Sequence, residues 1–208
     1  MTGVREGGAP ESGWIVGITG ASGAPYAVRL LEVLAASGEP ADVIVSSHGW
    51  RLLRHECGLG DEEALRGRVG DGRLRFFDNG NRGARPASGS ARYRGLVICP
   101  CSMATASAIA HGSSRSLIER AADVILKERR RLIVVPRETP LSTVHLRNLL
   151  TLSRLGAVVL PAAPGFYHDP RTTGDLVDFV VARVLDHMDV PHDLGRRWTG
   201  EEEADPPS

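Results

Sequence analysis

The sequence has few cysteines, few aromatic residues and no long apolar run. Its three cysteines, Cys57, Cys99 and Cys101, are too few and too irregularly spaced for a disulfide framework or a zinc cage. No apolar run reaches the roughly 20 residues of a membrane-spanning helix, and the N-terminal segment MTGVREGGAPESG lacks the apolar core of a signal peptide. Lys+Arg and Asp+Glu balance at 25 each, so no charge excess favours nucleic acid or an anionic membrane. We therefore expect a cytosolic protein with neither partner.

Several catalytic signatures are missing as well. The seven histidines are scattered, and no pair stands four residues apart around a carboxylate, so the sequence offers no metalloprotease-like zinc motif. No Gly-x-Ser-x-Gly elbow follows a predicted strand, which disfavours an α/β-hydrolase. The absence of Tyr-x-x-x-Lys counts against a short-chain dehydrogenase. We interpret Cys99 and Cys101, which flank a proline, as packing residues.

Buried strands alternate with helical segments along the chain, which predicts a mostly parallel, doubly wound α/β sheet. The length of 208 residues suits one domain, which we place at residues 13–198, after a disordered N-terminus of residues 1–12 and before an acidic tail of residues 199–208. The predicted strands are Trp14–Thr19, Ala41–Ser46, Tyr93–Cys99 (ended by Pro100), Leu132–Val135 and Ala157–Leu160. The predicted helices are Ala24–Ala36, His48–Glu56, Ser102–His111, one beginning at Leu117, Ser142–Leu155 and Thr172–Met188. We expect Ser102 to cap the third of these, and either Thr172 or Thr173 to cap the last.

The stretch from Gly58 to Tyr93 has many Gly and Arg residues and little periodicity. We expect irregular structure there, apart from a short strand at Leu74–Phe77. Such a long loop is unusual in a compact domain, which favours a mobile lid or an interface arm.

Small residues follow two predicted strands, in the turn Gly20–Gly23 and in Ser102–Thr105. The first lies just before a helix and the second begins one, and N–H groups at a helix N-terminus readily bind phosphate. In an open parallel sheet, ligands bind at the carboxyl ends of such strands. About 20 residues beyond the first turn, where a dinucleotide site has an acidic residue, this sequence has Ser46. The pattern favours a mononucleotide such as FMN over NAD.

The segment Leu117–Glu138 combines an amphipathic helix, a buried strand and several charges. Arg120 and Lys127 are seven residues apart, which places them on one face of the helix. Arg137 and Glu138 follow the strand directly, where an α/β sheet presents ligand-binding groups. The segment predicts cations and one carboxylate around a single anionic ligand, although ordinary solvated surface charges would give the same pattern.

Seven blocks along the chain carry a family resemblance. In order they are ITGASGA, ASGSARY, VICPCSMATASAIA, LIERAADVILKERR, LIVVPRETP, HLRNLLTLSRLGAVVLPAAPGFYH and DLVDFVVARVL. In sequence, order and spacing they resemble the UbiX-type flavin prenyltransferases, a family long described as aromatic-acid decarboxylases. The resemblance extends from about Trp14 to Trp198.

The resemblance implies a flavodoxin-like α/β domain that assembles into a homo-oligomer, usually a dodecamer, with sites between subunits. It implies that the dimethylallyl group of dimethylallyl monophosphate is joined to N5 and C6 of reduced FMN without a metal. The prenylated FMN is then passed to a UbiD-type decarboxylase.

The resemblance also implies the site residues. The FMN-binding residues would be Gly20, Ala21, Ser22, Ser46, Ser102, Met103, Ala104, Thr105 and Arg137. The residues around the prenyl phosphate would be Ser88, Gly89, Arg120, Lys127, Glu138, Tyr167 and Arg183. Fixed cations suit a phosphate leaving group, and Tyr167 and Trp198 would offer aromatic faces to an allylic cation. Glu138 would handle a proton, and Ser22 would relay one near N5.

Two alternatives use the same flavin site. One is FMN-dependent decarboxylation of a cysteine, whose enzymes use an early histidine and a Pro-x-Met-Asn segment that this sequence does not show. The other is a flavin-binding subunit without catalysis, which the retained charged residues disfavour. Direct decarboxylation of an aromatic acid has no support beyond the flavin site. The sequence departs from the family at Ser114-Arg115, where two asparagines are usual, and in the Gly/Arg-rich segment Arg66–Arg85.

Overall fold

A computed structural model describes residues 13–70 and 72–195. The predicted N-terminal extension of residues 1–12, the acidic tail and Trp198 lie outside these ranges. In the described part of the chain, six parallel strands form one sheet in the order β3-β2-β1-β4-β5-β6. The strands are β1 Trp14–Ile18, β2 Ala41–Val45, β3 Leu74–Asp78, β4 Gly95–Cys101, β5 Arg131–Pro136 and β6 Val158–Val159. The predicted doubly wound α/β fold is confirmed.

Helices connect the strands and cover the sheet. They are α1 Ala24–Ala36, α2 Ser47–Cys57, α3 Glu62–Val69, α4 Met103–Ala110, α5 Leu117–Lys127, α6 Thr143–Arg154 and α7 Thr173–Met188, with a short 3-10 helix at Arg85–Ala87. The predicted N-caps Ser102 and Thr172 are both present, each accepting a hydrogen bond from a backbone N–H in the first helical turn. No helix within the described ranges is long and apolar enough to cross a membrane.

The core has two layers, one on each face of the sheet. Val16, Val43 and Val97 face a layer formed with α1 and α7, whereas Ile15, Ile44 and Leu96 face a layer formed with α4, α5 and α6. Because both faces are covered, the inner strands β1, β2 and β4 are buried at every residue. Burial on both faces explains why these three strands appear in the sequence as continuous apolar runs.

The expectation of irregular structure between Gly58 and Tyr93 was wrong for Glu62–Val69, whereas residues 79–93 contain no α-helix or strand and only the 3-10 helix Arg85–Ala87. The segment contains α3, whose N-cap Asp61 accepts a hydrogen bond from the backbone N–H of Ala64 at 2.9 Å. It also contains β3, which pairs with β2 from Leu74 to Asp78 and so confirms the short predicted strand. The edge strand keeps polar and half-exposed residues because only one side of it pairs, and α3 buries only Leu65 and Val69. Neither element therefore has a strong apolar period.

The predicted end of β4 at Pro100 was also wrong. The strand continues through Pro100 to Cys101, with a cis peptide bond between Cys99 and Pro100 and a shift of register against β5. A proline can stand in this inner strand because the chain bulges there. The bulge brings the Pro100 carbonyl to Thr19, at the carboxyl end of β1.

Candidate active site

The carboxyl ends of β1 and β4 are joined by one threonine. The Thr19 hydroxyl donates to the Pro100 carbonyl at 2.9 Å and accepts from the Ser102 backbone N–H at 2.8 Å. Connections from β1 and β4 leave toward opposite sides of the sheet, so this point is the topological switch of the fold. The two small-residue turns predicted as ligand seats therefore lie next to each other.

The turn after β1 is shaped by close packing and by one carboxylate. A Cβ on Gly20 would lie 2.5 Å from the Cβ of His48, so the chain tolerates no side chain there. The backbone N–H groups of Gly23 and Ala24, at the N-terminus of α1, both donate to Oε2 of Glu56 at 2.8 Å. These two N–H groups were expected to bind a phosphate, but they already donate to the Glu56 carboxylate of the same chain.

Glu56 is the site residue that sequence reasoning missed. Burial alone would raise the pKa of its carboxyl, but hydrogen bonds from the Gly23 N–H, the Ser22 hydroxyl and the Ala24 N–H, with the charge of Arg137, lower the pKa. The carboxylate is therefore ionised and in contact with the Ser22 hydroxyl. Glu56 lies 33 residues from Gly23, and a glutamate at the end of a surface helix gives no signal of this contact.

The other predicted flavin ligands lie at neighbouring strand ends. Ser46 follows β2, and its hydroxyl accepts from the Gly49 N–H at 3.0 Å as the N-cap of α2. Ser102 follows β4 and caps α4, with its hydroxyl 3.0 Å from that of Thr105. Of the two residues between them, Met103 is buried and Ala104 is exposed.

Arg137 and Glu138 follow β5, as the sequence predicted. Arg137 Nε donates to the Ser22 carbonyl at 3.0 Å, so this guanidinium joins the turn after β1 to the end of β5. The side chain of Glu138 is exposed and accepts only a local hydrogen bond, from the Thr139 N–H at 3.1 Å. Arg137 thus contacts the turn after β1 at the switch point. The location of Glu138 is set by its place directly after β5.

The residues at the switch point suit FMN. Hydroxyls, small side chains and one guanidinium surround the end of the sheet, a donor set that matches a phosphate monoester and a flat ring. Gly20, Ser22 and Ala104 are exposed, so these parts of both turns are open to a ligand. The Glu56 carboxylate occupies the N-terminus of α1, whereas the N-termini of α2, capped by Ser46, and of α4, capped by Ser102, have no internal carboxylate among the described contacts.

The predicted phosphate ligands Ser88, Gly89 and Lys127 form a second group. A Cβ on Gly89 would lie 2.9 Å from Lys127 Nζ and 2.7 Å from Oε1 of Glu128, so the turn fits directly against the C-terminal end of α5. The Ser88 hydroxyl is exposed and lies 2.9 Å from that of Ser90. Here the structure brings together residues that are about 40 positions apart in the sequence.

Each predicted cation on α5 and α7 has an acidic neighbour. Arg120 pairs with Asp123 at 2.7 Å, Lys127 with Glu128 at 2.5 Å, and Arg183 with Asp186 at 2.7 Å. The side chains in these pairs are 26–54% exposed, and exposed pairs contribute about 0–1 kcal/mol each. A doubly charged phosphate can therefore compete for these cations.

Tyr167 and Arg183 line a separate groove of about 400 Å³ between the loop after β6 and α7. Tyr167 packs edge-on against Phe179 with ring centroids 5.8 Å apart, yet its side chain is 63% exposed. Phe166 beside it is 71% exposed. An exposed aromatic pair of this kind is typical of a binding surface.

The two groups of donor ligands lie on opposite faces of the sheet. Lys127 is on α5, which packs with α4 and α6, whereas Arg183 is on α7, which packs with α1. A single chain therefore does not bring all the predicted phosphate ligands to one point.

The two cysteines of β4 are packing residues, as expected. Cys99 and Cys101 are fully buried, and burial raises the pKa of both thiols, that of Cys101 to about 12. They are unsuited to act as nucleophiles. No cluster of three or more His, Cys, Asp or Glu residues in ranges 13–70 and 72–195 is arranged to hold a metal ion.

Comparisons with known proteins agree with one another. The family described as Flavoprotein matches residues 5–185. The flavin prenyltransferase UbiX of Halalkalibacterium halodurans is 46% identical over 194 residues, which cover 91% of this chain and 94% of that relative. The crystal structure of AnUbiX (PadA1) in complex with FMN and dimethylallyl pyrophosphate matches with a TM-score of 0.86 and 37% identity, over 92% of this chain and 99% of that one. A dodecameric FMN-dependent UbiX-like decarboxylase from Escherichia coli O157:H7 matches with a TM-score of 0.84 and 40% identity, over 90% and 99%.

Proposed function

This chain belongs to the flavoprotein family, as one of its UbiX-type flavin prenyltransferases, and we propose that it joins the dimethylallyl group of dimethylallyl monophosphate to N5 and C6 of reduced FMN. Reduced FMN supplies the nucleophilic atoms. The observation that carries the proposal is the joining of the two turns and Arg137 at the switch point, in a chain that is 46% identical to such an enzyme over nearly its whole length.

The flavin end of the site is the switch point. Ser46 and the turn Ser102–Thr105 provide hydroxyls and backbone N–H groups for the phosphate of FMN. Gly20, Ala21 and Ser22 leave room for the ring because none has a large side chain. Arg137, fixed by the Ser22 carbonyl, lies where its planar guanidinium can contact both the turn and a flat ligand.

The donor end of the site is made of Ser88, Gly89, Arg120 and Lys127 from one chain. A Cβ on Gly89 would lie 2.9 Å from Lys127 Nζ, so the Ser88–Gly89 turn and the Lys127 ammonium adjoin one region, where they stabilise the negative charge that develops on the departing phosphate. Arg120 stands about 10 Å along the helix from Lys127, within reach of a long side chain.

Proton handling falls to Ser22 and Glu138. Glu56, which is ionised because its pKa is lowered, accepts the hydrogen bond of the Ser22 hydroxyl and so orients the serine oxygen for relaying a proton near N5 of the flavin. Glu138, exposed beside Arg137, handles the proton on the phosphate side of the reaction.

A neighbouring copy of the chain completes the site. Tyr167 and Arg183 lie on the face opposite Lys127, and the aromatic face of Tyr167 suits an allylic cation. Helix α6 has exposed apolar side chains that a single chain leaves uncovered: Leu146 (53% exposed) and Leu150 (50%), four residues apart on one face, and Val144 (60%) on another. These features support a homo-oligomer, and we propose the dodecamer that the Escherichia coli neighbour forms.

The product, prenylated FMN, has no further reaction to undergo in a site built for prenyl transfer. We propose that it passes to a UbiD-type decarboxylase and that both proteins work in the cytoplasm.

The test is anaerobic incubation of the protein with dithionite-reduced FMN and dimethylallyl monophosphate, followed by mass spectrometry of the extracted flavin. A mass gain of one five-carbon prenyl unit is expected. The diphosphate ester is a parallel sample that distinguishes the two donors. An unmodified flavin in both samples, with FMN still bound to the protein, would overturn the proposed reaction.

A further inference from the structure

The turn that carries Ser88 and Gly89 has little to hold its shape from within. It follows the 3-10 helix Arg85–Ala87, with the Ser88 N–H donating to the Arg85 carbonyl at 3.1 Å and the Ala91 N–H donating to the Ser88 carbonyl at 3.2 Å. Gly89 adds conformational freedom, and Ser88 and Ser90 are exposed. A phosphate-binding turn needs fixed N–H directions, so something outside the turn must fix them.

Arg130 makes the contacts that hold this turn. One terminal nitrogen of its guanidinium donates to the Ala91 carbonyl at 2.5 Å, and the other donates to the Gly89 carbonyl at 2.9 Å. The side chain is only 21% exposed, and its ion pair with Glu128 is long, at 4.0 Å. The planar guanidinium donates to both carbonyls at once. It therefore fixes the orientation of these carbonyls and of the peptide groups between them.

The backbone at the end of α5 directs Arg130 toward the turn. Arg129 has a φ of 55°, in the left-handed region, where a side chain is unfavourable and glycine is usual. In this conformation the Arg130 N–H donates to the Ile125 carbonyl at 2.9 Å and closes the helix. The next residue, Arg131, reaches the other way, to the His187 carbonyl and the Asp189 carboxylate at the end of α7, both at 2.6 Å.

We propose that Arg130 is a positioning residue for the prenyl donor: it fixes the Gly89 and Ala91 carbonyls and thereby aims the N–H groups and the Ser88 hydroxyl at the phosphate. The inference rests on the proposed function, because it deepens the role of the Ser88–Gly89 turn. Arg130 acts through the turn, and its guanidinium is already used by two backbone carbonyls. Its positive charge contributes only indirectly to the electrostatic field around Lys127.

The variants are Arg130→Met, which keeps length but removes both donors, and Arg130→Lys, which keeps the charge and reaches one carbonyl. Arg131→Met is the matched control, because this neighbour also donates two hydrogen bonds, to α7. Steady-state kinetics with dimethylallyl monophosphate and reduced FMN gives KM for each substrate. We expect Arg130→Met to raise KM for the donor about tenfold with KM for FMN within about twofold, and Arg130→Lys to lie between. Arg131→Met lowers Tm and leaves both KM values unchanged.

Amide hydrogen exchange gives a readout that does not depend on the reaction. Arg130→Met should speed exchange across residues 88–91, and Arg131→Met should not. Unchanged exchange there, or equal rises in KM for donor and flavin, would overturn the positioning role even if prenyl transfer is established. Faster exchange in an enzyme that makes no prenylated FMN would instead refute the proposed function alone. If Arg130→Met does not fold, Arg130→Gln, which keeps one amide donor, carries the same measurements.

Discussion

The carboxylate of Glu56 provides the sharpest test of the site geometry. Its Oε2 accepts two backbone N–H groups at 2.8 Å at the start of α1. Hydrogen bonds to a charged group contribute about 1.5–3 kcal/mol each, against about 1 kcal/mol for neutral partners. Glu56→Gln keeps the shape and an acceptor oxygen but removes the charge. Replacing two charged hydrogen bonds by neutral ones would therefore cost about 1–4 kcal/mol in total. Because Glu56 is half-buried, we expect the lower part of this range, a loss of about 1–2 kcal/mol in the free energy of unfolding at pH 7.

The pH dependence follows from the lowered pKa of Glu56. A carboxyl that has a lower pKa in the folded state than its ordinary value of 4.5 stabilises the fold above that pH, and the contribution disappears as the pH falls through the folded-state pKa. The difference in Tm between wild type and Glu56→Gln should therefore be constant well above pH 4.5 and should shrink as the pH falls below 4.5 through the folded-state pKa.

Thermal melts followed by circular dichroism from pH 3 to pH 7 measure this difference, which should be about 2–8 °C at neutral pH for a chain of this size. The control is Glu62→Gln, which removes an exposed carboxylate paired with Arg66 at 2.8 Å and should shift Tm only slightly. Equal stability of wild type and Glu56→Gln at pH 7, or a difference that persists unchanged to pH 3, would refute the reasoning.

Three further predictions concern the ligands and the assembly. Arg137→Ala should raise the Kd for FMN about tenfold, since it removes the guanidinium at the switch point; a purified variant that stays fully yellow would contradict this role. Glu138→Gln should leave FMN binding intact and slow single-turnover prenyl transfer about a hundredfold, because a proton-handling group is lost; equal loss of both properties would argue against it. Leu150→Glu places a charge on the exposed apolar surface of α6 and should reduce the oligomer to smaller species in light scattering, whereas an unchanged mass would show that this surface is not an interface.

The fold was largely predictable because its signals are local. Continuous apolar runs revealed the inner strands, and capping residues such as Ser102 and Thr172 marked where helices begin. The α3 helix and the β3 edge strand were harder, because a short helix with two buried residues and a strand paired on one side have little apolar periodicity.

The site was predictable only in part, because its decisive contacts are long-range. The resemblance named candidate ligands, and the spacing of Arg120 and Lys127 placed both on one helix. Nothing in the sequence indicates that Arg183 lies on the opposite face of the sheet. Glu56 was missed for the same reason, since its partners are the backbone N–H groups of a distant turn. Contacts made by backbone N–H groups do not depend on which side chain a residue has, so the sequence gives no sign of them.

The carboxylate at the start of α1 also has a consequence for which nucleotides the protein admits. In dinucleotide-binding proteins of this topology, the pyrophosphate rests on the N-terminus of the helix after the first strand. Here Glu56 provides a fixed negative charge at that place, so a pyrophosphate would meet repulsion and find its amides taken. We therefore expect the turn after β1 to disfavour NAD-like molecules and to admit a mononucleotide, because the glutamate that accepts its two N–H groups also carries the repelling charge.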